Sequence, residues 1–87
     1  GRLDEARIDV ARALRLRPHD PMARLAEAHV SDRSGDGDAA MRAIDRSVRL
    51  CPTDFGTPWR VRAAGHLSRG DPERALLDVT AAVRASP

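Results

Sequence analysis

Residues 32–38 read Asp32-Arg33-Ser34-Gly35-Asp36-Gly37-Asp38. Oxygen-bearing side chains at alternate positions, interrupted by glycine, have the pattern of a calcium-binding loop between helices. Such a loop needs a bidentate glutamate to close it, and Ala43 stands at that place. Without its strongest ligand, the run reads better as a turn followed by a helix cap. His19, His29 and His66 share no local metal-ligand spacing, and Cys51 has no second thiol to join it. A catalytic Cys51 or serine would need a base and an oxyanion donor held against it, and no motif supplies them. Arg69-Gly70-Asp71 spells an adhesion tripeptide but also reads as a turn and a cap. The expectation is a non-catalytic chain with no catalytic residue, metal ligand or cofactor.

Charge narrows the partners. The pI of about 9.9 suggests a nucleic-acid binder, yet the net charge is only +2. All fifteen basic residues are Arg, and they are interleaved with thirteen acids. With no Lys or Tyr, almost nothing titrates between the histidine and arginine ranges, so a small Arg surplus lifts the pI without a strong field at pH 7. Single-strand recognition also wants aromatic stacking platforms, and only Phe55 and Trp59 are aromatic. Nucleic acid is therefore the alternative partner, by way of an Arg-rich surface. The lone cysteine is compatible with a reducing compartment. No apolar run is long enough for a membrane span, and no leader pattern is visible. The composition points to a soluble, cytoplasmic protein.

The elements that must carry these side chains are marked by punctuation. Glycine before a polar residue recurs at Gly1, Gly35 and Gly70, at intervals of 34 and 35 residues. Proline after an Arg/Ala/Leu-rich stretch recurs at Pro18, Pro52 and Pro87 with the same two intervals. Two independent markers with one period imply an internal repeat. Between them the apolar residues keep helical spacing: Leu3, Ala6, Val10, Ala13 and Leu14; Ala40, Ile44 and Val48; Ala75, Val79, Ala82 and Val83. Further helices are expected over about 21–33 and about 57–69. Asp20-Pro21, Thr57-Pro58 and Asp71-Pro72 each place a capping side chain before a first-turn proline. No β-branched alternating run supports a sheet. The expected fold is all-α, with about five helices in antiparallel hairpins.

A helix–turn–helix period of 34 residues resembles the tetratricopeptide repeat. Trp59, Ala63, Gly70, Ala75, Val79, Ala82 and Pro87 fall at that family's spacings. Ala28, Gly35, Ala40, Ile44, Ser47 and Pro52 match in the middle, and Gly1, Ala6, Val10, Ala13, Leu14 and Pro18 resemble the second half of a further repeat. The resemblance covers the whole chain: 1–20 as half a repeat, 21–54 as a full one and 55–87 as a nearly full one. It departs at Arg24, which stands where Trp59 does, at Glu27 and Arg62, which replace an aliphatic, and near Phe55, where one residue is extra. Glu27 and Arg62 are candidates to pair across adjacent hairpins.

The resemblance implies a right-handed superhelical array whose first helices line a concave groove for a peptide segment of a protein partner. It places Met22, Leu25, His29 and Arg33 on that groove from one helix, and Thr57, Arg60, Ala64 and Ser68 from the next. The Lys/Asn carboxylate clamp of some members is not matched; Arg60 is the clear cation among the corresponding places. A mixed groove of this kind suits a partly acidic peptide. A regulatory segment of a larger enzyme or transcriptional regulator is compatible with the same reading. The stripe of Leu3, Ala6 and Val10, and Leu77 and Val83 in the last helix, are expected to be adhesive. They imply either a fragment of a longer array or self-association through uncapped ends.

Overall fold

The computed structural model describes residues 1–51 and 56–85. Five helices occupy them: α1 (Arg2–Leu16), α2 (Pro21–Arg33), α3 (Gly37–Leu50), α4 (Thr57–Ser68) and α5 (Pro72–Ala85). No strand occurs among the described residues, so the all-helical expectation holds. No described helix is long and apolar enough to cross a membrane. The chain divides into two compact units, Gly1–Leu50 and Cys51–Pro87. Pro52 and Phe55 and the terminal Pro87 lie outside the described residues.

In the first unit α2 packs against both α1 and α3, and in the second α4 packs against α5. Each hairpin turns in the same way. Gly35 takes φ +83° and Gly70 φ +75°, a region open to glycine because it has no Cβ. Beyond each glycine the chain reaches back to the end of the preceding helix. The Asp36 amide donates to the Ser31 carbonyl at 2.9 Å, and the Asp71 amide donates to the His66 carbonyl at 2.8 Å. Together with the glycine amides this forms a Schellman ending, which satisfies carbonyls the helix leaves open. The same aspartates then start the next helix. Asp36 Oδ1 accepts from the Ala39 amide at 3.0 Å, and Asp71 Oδ1 accepts from the Arg74 amide at 3.1 Å. Asp20 caps α2 through the Met22 amide at 2.9 Å, with Pro21 in the first turn.

One cap differs from expectation. α4 begins at Thr57, with Gly56 at the N-cap and no side-chain cap bond. Gly56 already holds near-helical backbone angles, so Thr57 is drawn into the first turn with Pro58.

Small residues form the seams. Ala28, Ala40 and Ala43 are buried in the first unit, and Ala63, Ala75 and Ala82 in the second. Methyl side chains let helix backbones approach closely, and Leu25, Val30 and Ile44 fill the remaining space of the larger unit. Ser47 is fully buried; its hydroxyl donates to the Pro21 carbonyl at 2.8 Å and ties α3 to the start of α2.

Two stripes sit differently from their sequence reading. On α5 the buried face is Ala75, Asp78, Ala82 and Ala85, whereas Val79 and Val83 are exposed. Four small or compact side chains allow a closer approach to α4 than the branched pair would, so the helix is rotated toward them. On α1, Leu3, Ala6, Val10, Ala13 and Leu14 are only half-buried, and no residue of the helix is fully buried. The stripe faces α2, so the large apolar residues that α1 exposes are Ile8 and Leu16 rather than Leu3 and Val10, and Ala6 is half-buried.

Candidate functional site

The seam between α1 and α2 carries a groove of about 310 Å³. Arg2, Leu3 and Ala6 line it from α1, and His29, Val30 and Arg33 from α2. Helical periodicity builds it: Leu3 and Ala6 are three residues apart, His29 and Arg33 four, so each pair shares one helix face. The loose packing of α1 leaves the groove open, and Val30, itself buried, forms its floor. Arg2, His29 and Arg33 are exposed and form no ion pair among the described residues. The result is an apolar trough with two arginines and a histidine on its rim and no carboxylate among its walls.

A neighbouring cleft of about 340 Å³ shares Val30 but has a different character. Arg7 there donates to Ser34 Oγ at 2.8 Å, and the Ser34 hydroxyl donates onward to the Val30 carbonyl at 2.8 Å. Glu27 and Asp36 also line it, so its charges are mixed. A third cleft, of about 210 Å³, collects His19, Arg24, Arg46 and Arg49 beside Pro18 and Leu50, with no carboxylate in its lining. Arg24 donates to Glu27 and to the Pro18 carbonyl, both at 3.4 Å, and its buried Nε finds no acceptor among the described residues.

The residues singled out from sequence fall into two groups. In the first unit Met22, His29 and Arg33 are exposed on one face of α2, whereas Leu25 is buried in the hairpin core. His29 and Arg33 enter the α1–α2 groove, and Arg2, Leu3, Ala6 and Val30 join them there. In the second unit Arg60, Ala64 and Ser68 are exposed on α4 and Thr57 is half-buried. Their spacing of three, four and four residues keeps them on one helix face. Ser68 turns inward to its own helix, donating to the Ala64 carbonyl at 3.1 Å.

Sequence reasoning missed the most buried charge of the second unit. Arg62 donates to Asp78 Oδ1 from Nε at 3.0 Å and from Nη2 at 2.8 Å. His66 Nε2 stands 3.5 Å from Asp78 Oδ2, an ion-pair distance without hydrogen-bond alignment, and Oδ2 has no hydrogen-bond partner among the described residues. A signal was present: Asp78 lies three residues after Ala75 and four before Ala82, on the buried side of the period. Glu27, for its part, pairs with Arg24 at 3.4 Å inside the first unit.

The calcium-like run is occupied with structural work, since Asp36 caps α3 and Ser34 bonds to Arg7 and Val30. Among the described residues, no three His, Cys, Asp or Glu side chains stand close enough to hold a metal ion. Fold and site together define an all-helical protein of packed hairpins with an open, cation-rimmed groove. No family model and no curated protein sequence matches the chain.

Proposed function

We propose that the chain is a non-catalytic, tetratricopeptide-like interaction module that holds a partly acidic peptide segment of a protein partner. The observation that carries this reading is the α1–α2 groove, where Leu3, Ala6 and Val30 lie beneath Arg2, His29 and Arg33. An apolar floor favours aliphatic side chains, and guanidinium forks on the rim favour carboxylates. Support for the repeat architecture comes from the two hairpins, which share a Schellman glycine, an aspartate cap and buried alanines 35 residues apart. The exposed face of Arg60, Ala64 and Ser68 on α4 is a candidate surface of the second unit by itself. No cofactor enters this reading, and it places the module in the cytoplasm, within a scaffold or a larger regulator.

Fluorescence anisotropy with labelled peptides of mixed Leu and Glu composition tests it. Arg33→Glu should weaken binding by about tenfold or more, corresponding to loss of one charge-assisted contact and gain of a repulsion. Arg60→Glu tests the α4 face in the same assay and should weaken a peptide held there. Unchanged affinity in both variants, or equal affinity for Leu/Lys peptides, would remove the groove assignment.

A second reading rests on the carboxylate-free cleft of His19, Arg24, Arg46 and Arg49. It would make the chain a nucleic-acid-binding accessory through phosphate contacts. Binding to a defined oligonucleotide with a steep salt slope, reduced in Arg46→Gln, would favour it over the peptide reading.

A further inference from the structure

The outer face of α5 is the most apolar exposed helix surface of the second unit. Leu76 is 66%, Leu77 71% and Val83 66% exposed, and Val79 is 44% exposed beside them. A single exposed leucine is ordinary, but three large side chains on one helix face form a patch of the kind that marks an interaction surface. The ends of the patch carry opposite charges. Glu73 and Arg84 are exposed, and neither forms an ion pair among the described residues. With Leu77 and Thr80 they follow a four–three–four spacing, which aligns all of them along one side of the helix.

We infer that this face binds a second copy of the same chain, with the two α5 helices packed antiparallel about a two-fold axis. The charge order decides the direction. A two-fold axis between positions 78 and 79 sets Glu73 against Arg84 of the second copy, and Arg84 against its Glu73. The same register places Leu77 against the second copy's Thr80 and flanks the seam with Leu76 against its Val83. A parallel arrangement would instead set Glu73 against Glu73 and Arg84 against Arg84. Isologous pairing thus satisfies both charged ends with one geometry. Two short helices bury less than a standard stable interface, so the dimer exchanges and depends on concentration.

Sedimentation of the full chain between about 10 µM and about 1 mM tests the pairing, at affinities typical of weak complexes. The wild-type chain should shift from monomer to dimer across this range. Glu73→Arg and Arg84→Glu should each weaken self-association by about tenfold or more, by placing like charges together. An equimolar mixture of the two variants should associate again, because both cross-copy contacts then join opposite charges. Far-UV circular dichroism of each variant establishes that the helices are retained. A wild-type chain that stays monomeric would overturn the inference. So would single variants that associate as well as wild type, or folded variants whose mixture fails to associate.

Discussion

Asp78 shows how one residue constrains its surroundings. A carboxylate that is almost fully buried is tolerated because Arg62 gives it two hydrogen bonds, at 3.0 and 2.8 Å. Removing a partner from such a pair costs more than the pair itself contributes, because a desolvated charge is left behind. Arg62→Ala should therefore lower the unfolding free energy by about 3 kcal/mol in urea denaturation. The combined Arg62→Met and Asp78→Leu variant should lose less than Arg62→Ala, since apolar groups of similar size need no partner. An equal or larger loss in the combined variant would mean that Asp78 is not held by this pair. By contrast, exposed pairs such as Arg7 with Asp4 at 3.6 Å and Arg74 with Asp71 at 3.3 Å contribute little.

At the scale of elements, the two glycine turns do the same job in both hairpins. Space is not what requires glycine there, because a Cβ at Gly35 or Gly70 meets nothing within 4 Å. The requirement is the positive φ alone, so Gly35→Ala and Gly70→Ala should each cost about 1 kcal/mol. Replacing the caps, Asp36→Ala or Asp71→Ala, should cost a similar amount. Thermal melts of the four variants provide the check, and a tolerated alanine at Gly70 would show that the turn can rearrange. These elements were legible in advance because their signals are local. Gly35, Gly70, Asp20, Asp36 and Asp71 act within a few residues of themselves. Thr57 was misread because the backbone of its neighbour Gly56, rather than its own hydroxyl, decides where α4 begins.

Across the molecule, stability is uneven. α3 is joined to α2 by buried Ala40, Ala43, Ile44 and Ser47, whereas α1 has no buried residue. Local opening follows the density of buried contacts, so native-state hydrogen exchange should find α1 amides the least protected of the first unit and α2–α3 amides the most. Equal protection across the three helices would contradict this order. The same loose seam creates the candidate groove: tighter docking of α1 would close the space between Leu3, Ala6 and Val30. The weakest-packed element is thus also the one that lines the candidate groove.

The amino-acid sequence by itself determined the number of helices, their ends apart from the cap of α4, and the recurrence of the hairpin, because caps, turns and helical periodicity are short-range physics. His29 and Arg33 were named as groove residues only through the resemblance, which also named Leu25, a residue that is buried. Tertiary structure alone decided which face of each helix is buried, since a rotation of a few tens of degrees exchanges Val79 for Asp78 at almost no change in sequence pattern. It also decided that Arg2, Leu3 and Ala6 come to His29 and Arg33, and that Arg62 reaches Asp78. Those pairings join residues sixteen or more positions apart, and which side chains meet depends on how closely alanine seams let two helices approach.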